Sequence, residues 1–430
     1  MKKTTYERLR LTKTIGGGQA LGTLDDGRKA LVWGGLPGED VTILLTKKKS
    51  SYVEGIVTEV HTASPERVAP ADPDSYLSTS PWQIMSFDAE QRHKAELIHE
   101  AFMLHGVTLP SITKVYTDGV TQRYRNKVEF SWYGDATASG ETLDLAFFRR
   151  GTKGKIVVHD SILLPEPMLE LAKTIRDDLG QLGISARQLK TLLIRSDQKG
   201  LCVWQLYTKD ENLGITQELI DSWPAQGGEV IYSNPKSPAS VITTRELTTG
   251  NLTLTDTILD KTFQYVAEGF FQVNIPVYEQ ALRDMREWVL PHAPTIDMYA
   301  GVGSIGLTIG RKNTTLVELN EAAVGEMHRN IESLGNSAQA VLSSSEQALE
   351  YITSDACVIV DPPRAGLHAD VIAKILETKP ARLIYLSCNP VTQARDVALL
   401  LESYKIIHHK GYNFFPRTPH IENLVVLDLL

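Results

Sequence analysis

The chain has 430 residues, of which 42% are hydrophobic and 22% charged. This composition is typical of a globular protein with two or three domains, and three scattered cysteines exclude a disulfide framework and a four-cysteine metal site. A net charge of -8 argues against an indiscriminate nucleic-acid binder, and the lack of a long apolar run predicts a cytoplasmic protein with no membrane partner.

Residues 5–60 alternate short runs of β-forming residues with turns. The turns contain Gly16-Gly17-Gly18, Asp25-Asp26-Gly27, Gly34-Gly35 and Pro37-Gly38. Strands at that spacing predict a small OB-type β-barrel over residues 1–60, a region with ten Lys and Arg against seven Asp and Glu. The segment from Gly16 to Glu39 resembles the TRAM domain, which implies an RNA-binding module; a barrel that binds protein is the alternative.

Residues 61–265 are predicted to form a mixed α+β lobe. Residues 64–81 are polar and proline-rich, which indicates an irregular segment. Residues 88–106 have helical spacing of apolar side chains, and we expect this helix to pack on the C-terminal domain. Further β-rich stretches are expected at 127–133, 143–149, 155–164, 201–207 and 251–265, and helices near 166–180 and 212–222.

From Asn274 onward, helices and strands alternate. This rhythm predicts a doubly wound, Rossmann-like α/β domain over residues 266–430. Helices are expected at 276–290, 320–334, 370–378 and 392–403, and a turn followed by a helix at 301–311. Strands are expected at 295–299, 315–318, 356–360 and 382–387, with an antiparallel pair at 405–412 and 423–429.

A glycine-rich turn follows the first of these strands. Gly301, Gly303 and Gly306 satisfy the pattern G-x-G-x-x-G, and Glu318 ends the next strand as a ribose-binding acid would. Nicotinamide dehydrogenases and S-adenosylmethionine enzymes share a strand, a glycine turn and a distant carboxylate. The turn alone leaves both cofactors open.

Cys388 stands where a strand is expected to end, after the apolar run 384–386 and before Asn389. A buried structural cysteine is the common alternative and suits Cys202 and Cys357, but the polar neighbours of Cys388 are wrong for a core position. Glu422 lies 34 residues further on, also at a strand end. A thiol and a carboxylate at the ends of neighbouring strands suggest covalent catalysis.

That pair bears on the choice of cofactor. Hydride transfer needs no cysteine nucleophile, whereas methylation of an unactivated pyrimidine carbon does. Thiolate addition at the 6-carbon of uracil makes the 5-carbon nucleophilic, and a base must later remove the proton from the 5-carbon. The target base must also leave its stack to be reached. Cys388 and Glu422 therefore favour S-adenosylmethionine.

Across its whole length the sequence resembles the RNA 5-methyluridine methyltransferases, because their motifs occur here in order. The motifs are Gln272-Val273-Asn274, the turn at 297–306, Asp361-Pro362-Pro363-Arg364, Ser387-Cys388-Asn389-Pro390, and Pro416, Thr418, His420 and Glu422. The resemblance implies that Cys388 is the nucleophile and Glu422 the base. It implies an S-adenosylmethionine pocket formed by Gln272, Tyr299, Glu318 and Asp361, with Glu318 on the ribose hydroxyls and a uracil contact also open to Asp361.

The implied partner is RNA, and the TRAM-like barrel favours 23S ribosomal RNA over transfer RNA. The central lobe would bind RNA, and Arg125 and Lys127 in the family-like segment 124–127 are candidates for phosphate contact, with a structural role equally open. TRAM-bearing members often hold an iron–sulfur cluster on four cysteines, but residues 77–83 and 160–163 contain none. We therefore expect no cluster, no other metal and no obligatory protein partner. A non-catalytic RNA-binding assembly factor and a transfer-RNA enzyme are the alternatives.

Overall fold

A computed structural model describes residues 5–137, 140–311 and 313–430. Its N-terminal strands are β1 (Tyr6–Thr14), β2 (Ala20–Thr23), β3 (Lys29–Trp33), β4 (Asp40–Lys48) and β5 (Tyr52–Thr62), and they form a closed barrel in the order β1-β2-β3-β5-β4. Inward side chains alternate with outward ones: on β1, Leu9 and Leu11 are buried in the barrel and Arg10 between them is exposed. The OB-type barrel is thus confirmed; residues 1–4 of its predicted range lie outside the described residues.

The central elements follow in chain order. The helices are α1 (Tyr76–Thr79), α2 (Phe87–Leu104), α3 (Glu166–Gln181) and α4 (Gln217–Ser222). The strands are β6 (Val115–Tyr116), β7 (Lys127–Tyr133), β8 (Ala136–Thr137), β9 (Gly140–Glu141), β10 (Asp144–Phe148), β11 (Lys155–Val157), β12 (Leu189–Ser196), β13 (Cys202–Thr208), β14 (Gly227–Tyr232), β15 (Thr244–Gly250), β16 (Thr253–Ile258) and β17 (Lys261–Val266).

Seven of these strands form one sheet, in the order β11-β10-β7-β12-β13-β14-β15. Helix α3 packs its apolar side, including Met168 and Ile175, into the core that covers one face of this sheet. Strands β12, β14 and β15 were missed from the sequence, and the expected β-rich stretch at 155–164 is a strand only over β11. The expected irregular segment 64–81 contains α1.

The C-terminal elements alternate as predicted from the sequence. The helices are α5 (Ile275–Trp288), α6 (Ser304–Ile309), α7 (Glu321–Ser333), α8 (Ala369–Thr378) and α9 (Pro390–Leu400). The strands are β18 (Thr295–Met298), β19 (Thr314–Glu318), β20 (Gln339–Leu342), β21 (Cys357–Val360), β22 (Arg382–Ser387), β23 (Tyr404–Tyr412) and β24 (Glu422–Leu429). The edge strand β20, only four residues long, was also missed.

These strands, with β6, build an eight-stranded sheet in the order β20-β19-β18-β21-β22-β24-β23-β6. Strands β18 to β22 run parallel to one another, and β24 is antiparallel to both β22 and β23. The order reverses between β18 and β21, where open α/β sheets bind ligands at the carboxyl ends of the strands. The α/β fold class, doubly wound with an N-terminal barrel, is confirmed.

The chain divides into two units, each held by its own internal contacts. One comprises Met1–Phe87, Val120–Leu254 and Val266–Glu268, and the other comprises Asp88–Gly119, Thr255–Tyr265 and Gly269–Leu430. In the first unit, the Arg150 guanidinium lies over the ring of Trp33 at 4.1 Å and donates to the carbonyl of Leu77 at 2.6 Å. Within the described ranges, no helix has both the length and the apolar character that crossing a bilayer requires.

Candidate active site

Cys388 and Glu422 lie at the adjoining ends of two antiparallel strands. Cys388 directly follows β22, Glu422 begins β24, and the register pairs Ser387 with Asn423. Cys388 and Glu422 are the residues next to this last pair, and the negative charge of Glu422 acts on the Cys388 thiol. The structure thus brings the predicted nucleophile and base together.

The turn that carries Cys388 is fastened on its helical side. Asn389 begins α9 as its N-cap, and its side-chain oxygen accepts the N–H of Val391 at 3.2 Å. Its amide nitrogen donates to the carbonyl of Arg364 at 2.9 Å, and the Thr392 hydroxyl donates to the same carbonyl at 3.1 Å. The Ser-Cys-Asn-Pro turn and the Asp-Pro-Pro-Arg turn are thereby held together.

Burial dominates the electrostatics of the site. It raises the pKa of the Cys388 thiol to about 12, and the negative charges of Glu422 and Asp361 push in the same direction. Burial also raises the pKa of Asp361 to about 7 and, with repulsion from Asp361, raises the pKa of Glu422 well above its usual value. The positive charge of Arg364 lowers the pKa values of Cys388 and Glu422, but burial outweighs it. The site therefore favours a protonated thiol and at least one protonated carboxyl group.

Arg364 also contacts the segment that leads into Glu422. Its guanidinium Nη2 lies 3.0 Å from Nδ1 of His420. The His420 N–H donates to the Thr418 hydroxyl at 3.3 Å, and the ring of His420 meets that of Phe415 edge-on at 5.7 Å. The terminal motif is therefore a defined loop whose side chains contact one another.

The glycine turn has the backbone conformation that glycine favours. Tyr299, Gly301 and Gly303 have φ angles of 66°, 57° and 86°. The N–H of Gly301 donates to Oε2 of Glu318 at 2.9 Å, while Oε1 of Glu318 accepts the N–H of Asn320 at 2.7 Å. Each carboxylate oxygen keeps a further lone pair, so an oriented carboxylate able to accept hydroxyl protons stands beside the turn.

The other predicted cofactor residues lie on elements of the same unit. Gln272 is buried and follows Phe271, whose ring stacks on that of Tyr265 at 4.0 Å. The Tyr299 hydroxyl accepts a hydrogen bond from Ser345 at 2.8 Å, and burial raises the pKa of Tyr299. Asp361 directly follows β21, the strand next to β18.

Sequence reasoning gave no role to Asp297, at the end of β18. Its Oδ2 accepts the N–H of Gly306 at 2.7 Å, and its buried Oδ1 has no hydrogen-bond partner among the described residues. Burial raises the pKa of this carboxyl group to about 8. An acid inside an apolar strand was the available signal.

A buried ion pair on α2 was missed as well. Glu90 and Lys94 are 0% exposed, and their charged atoms lie 3.1 Å apart. The signal in the sequence was a Glu and a Lys four residues apart, on a face shared with the buried Leu97.

The two basic candidates for phosphate contact lie in the other unit. The Lys127 ammonium donates to the carbonyl of Glu268 at 3.2 Å, and burial lowers the pKa of Lys127 to about 8. Arg125 donates to the carbonyl of Lys127 at 3.0 Å. Both side chains thus donate hydrogen bonds to backbone carbonyls of the protein. Among the described residues, no group of three or more His, Cys, Asp and Glu side chains could hold a metal ion.

Comparison with known proteins identifies related sequences. The sequence model of the tRNA (uracil-5-)-methyltransferase family matches residues 87–429. An uncharacterized RNA methyltransferase of Enterococcus faecalis is 29% identical over 421 residues, which cover 91% of this chain and 90% of that protein. Another from Chlorobaculum tepidum is 27% identical over 453 residues, which cover 95% and 93%.

A solved structure has the same fold. It is the tRNA (uracil-54, C5)-methyltransferase of Pyrococcus abyssi in complex with S-adenosyl-L-homocysteine, with a TM-score of 0.78 and 21% identity. The alignment covers 97% of this chain and 100% of that one.

Proposed function

The chain belongs to the tRNA (uracil-5-)-methyltransferase family, and we propose that it methylates the 5-carbon of a uridine in RNA by way of a covalent adduct on Cys388. Membership of this family makes the chain an S-adenosylmethionine-dependent RNA methyltransferase. The observation that carries the proposed mechanism is the place of Cys388 and Glu422 next to Ser387 and Asn423, the last paired residues of β22 and β24.

In this mechanism the sulfur of Cys388 adds to the 6-carbon of uracil, and the electrons of the 5,6 double bond move to the 5-carbon and its carbonyl. S-adenosylmethionine, when bound, supplies the methyl group for the 5-carbon. Glu422 then takes the proton from the 5-carbon, the double bond forms again, and the bond between sulfur and the 6-carbon breaks. Cys388 leaves as a thiolate and methylated uridine is released.

The electrostatics of the pair suit these roles. Because the pKa of Cys388 is about 12, the thiol is protonated before RNA binds and must lose its proton as the sulfur attacks. The ionised carboxyl group of Asp361 is the acceptor that we assign to this proton, so that the carboxylate of Glu422 remains available for the proton of the 5-carbon. The raised pKa of Glu422 makes its carboxylate a stronger base than an ordinary one, which favours proton removal from carbon.

The residues present fit S-adenosylmethionine. The Glu318 carboxylate, oriented by two backbone N–H groups, would hold the ribose hydroxyls. Gln272, Tyr299 and Asp361 would complete the pocket, around a turn in which a Cβ on Gly301 would meet no atom within 4 Å. This open space beside an oriented carboxylate is what a bound nucleoside requires.

For the RNA we propose 23S ribosomal RNA, on the strength of the N-terminal barrel and its resemblance to the TRAM domain. Transfer RNA is the second candidate, because the Pyrococcus abyssi protein of similar fold is a transfer-RNA enzyme. A flipped uridine in a loop suits either RNA, and either is compatible with the cytoplasm.

Trapping the adduct tests the mechanism. Glu422→Gln protein is mixed with S-adenosylmethionine and total RNA, and denaturing mass spectrometry measures RNA attached to the protein. We expect an adduct that Cys388→Ala, combined with Glu422→Gln, abolishes. Nuclease digestion of the adduct then identifies the uridine and distinguishes ribosomal from transfer RNA. Bound S-adenosylmethionine without any adduct would favour a non-catalytic RNA-binding protein.

A further inference from the structure

The loop between β23 and β24 leads directly to Glu422, and its backbone takes an unusual path. Arg417, five residues before Glu422, has a φ angle of 66°, a conformation that non-glycine residues seldom adopt. The Thr418 hydroxyl donates to the carbonyl of Phe415 at 2.7 Å, which closes the turn. A loop of this shape needs partners that hold it.

Glu90 of α2 supplies one set of partners. The N–H of Arg417 lies 3.1 and 3.0 Å from the two carboxylate oxygens of Glu90, and the amide of Asn413 donates to Oε1 at 2.8 Å. Glu90 thus binds the residue with the unusual φ angle and the residue at which the loop begins.

Lys94, one helical turn further along α2, supplies the other set. Its ammonium donates to the side-chain oxygen of Asn413 at 2.5 Å and to the carbonyl of Phe415 at 3.1 Å. The carbonyl of Phe414, between them, accepts from the amide of Asn274 at 3.2 Å. Side chains from outside the loop therefore hold its polar groups in succession.

The pair is expensive to bury and yet is completely buried. Glu90, Lys94 and Asn413 are all 0% exposed. Buried ion pairs contribute little net stability compared with apolar side chains of similar volume, whereas they do hold defined geometry in some proteins. The hydrogen bonds of the pair to Asn413, Phe415 and Arg417 all end on the loop, which points to a geometric role.

Cys388 depends on different contacts. Its turn is held by Asn389 and Thr392 against the carbonyl of Arg364, and neither Glu90 nor Lys94 takes part in those hydrogen bonds. Arg364 links the two turns through its side-chain contact with His420, but its carbonyl, which holds the nucleophile's turn, is bound from α9. A change in the pair should therefore move the base with respect to the adduct more than it moves the nucleophile's turn.

We propose that Glu90 and Lys94 are positioning residues that set the place of Glu422 for proton removal from the 5-carbon. This inference rests on the proposed function and deepens it, because it divides the reaction into two steps with separate supports. Addition of the thiol depends on the α9 turn, and breakdown of the adduct depends on the α2 pair.

The test uses full-length Glu90→Met/Lys94→Met protein, which removes both charges of the pair together; the Arg417 guanidinium, 4.0 Å from Glu90 and partly exposed, loses that carboxylate as well. Single-turnover mixing with S-adenosylmethionine and the RNA substrate measures adduct formation and adduct decay separately. We expect unchanged cofactor affinity, adduct formation within about threefold of the wild type, and decay about 10- to 100-fold slower, since displacement of a catalytic group by about 1 Å can cost a hundredfold. The adduct should accumulate, as it should with Glu422→Gln.

Arg382→Met/Asp428→Leu is the matched control. These residues pair at 2.6 Å at the opposite ends of β22 and β24, so their replacement should leave the ratio of the two rates unchanged. If both rates of the α2 variant fall equally, or if its decay rate is that of the control, the positioning role is wrong. If the wild-type protein and Glu422→Gln form no adduct at all, the proposed function itself fails. Single Glu90→Gln protein provides a second variant should the double one not fold.

Discussion

Asp297 accepts the backbone N–H of Gly306 at 2.7 Å through one carboxyl oxygen, while the other oxygen is buried without a partner among the described residues. Burial raises the pKa of Asp297 from 3.8 to about 8. The folded protein therefore binds a proton that the unfolded chain releases above pH 4. The stabilising contribution is present below that pH and is lost as the pH rises through 8.

Asp297→Asn should remove this dependence, because an amide has a similar shape, keeps an oxygen for Gly306 and does not titrate. Its melting temperature without cofactor should rise relative to the wild type between pH 5 and pH 8.5, by about 2 °C or more at the upper end. Calorimetry at several pH values measures the difference. Asp355→Asn, at an exposed acid of the same unit, should show no such trend. A difference independent of pH would mean that Asp297 is ionised in the folded protein.

Alkylation of Cys388 should report the charges around it. Because the thiol pKa is about 12, the rate with iodoacetamide should rise about tenfold per pH unit up to pH 9 without a plateau. Asp361→Asn removes a repelling negative charge and should raise the rate by about three- to tenfold. That gain should emerge above pH 7, where Asp361 ionises.

Arg364→Gln should change the alkylation rate of Cys388 in the opposite direction. It removes the positive charge that lowers the thiol pKa, so the rate should fall. Cys202 and Cys357 are buried and should react slowly in every variant, which peptide mapping can verify. Equal rates for Asp361→Asn and wild type at pH 9 would contradict this view of the site.

The Rossmann-like domain could be predicted from the sequence because its signals are local. Strand β22 has the predicted bounds, since an apolar run ends at a turn with Asn389 and Pro390. Strand β14 was missed because Gly227 and Gly228 suggest a turn. A Cβ on Gly228 would lie 2.1 Å from the Trp204 ring, so this glycine makes room for an aromatic side chain on the next strand. This requirement comes from a tertiary contact, and the local sequence pattern does not show it.

The candidate site also contains residues that local sequence signals reveal and residues that depend on distant contacts. Cys388 and Glu422 stand out because each lies in a short motif at a strand end. Glu90 and Lys94 lie more than 300 residues before the Asn413 that they hold, and helical periodicity shows only that they share a face. A role for these two buried charges can be inferred only when the loop that they contact is known.

Glu318→Gln should weaken cofactor binding. A glutamine offers one acceptor oxygen where Glu318 uses two, for the N–H groups of Gly301 and Asn320, and it lacks the charge that strengthens bonds to hydroxyl groups. The dissociation constant for S-adenosylmethionine should rise by about 10- to 100-fold, as expected for the loss of about 1.5–3 kcal/mol. Isothermal titration measures it. Glu321→Gln, on the exposed first turn of α7, should bind normally; equal effects would exclude a specific role for Glu318.

Two glycines in helices of the C-terminal domain should respond oppositely to alanine. A Cβ on Gly306 of α6 would lie 2.3 Å from Cδ2 of Leu316 and 2.9 Å from Oδ2 of Asp297, whereas a Cβ on Gly325 of α7 would meet nothing within 4 Å. Gly306→Ala must push α6 away from β19, and should cost about 1–3 kcal/mol in the free energy of unfolding. Gly325→Ala should gain about 0.5–1 kcal/mol, because alanine favours the helix and restricts the unfolded chain. Urea denaturation measures both variants. If Gly306→Ala proved as stable as Gly325→Ala, the close approach of α6 to β19 would be wrong, and with it the short contact that orients Asp297 beneath the glycine turn.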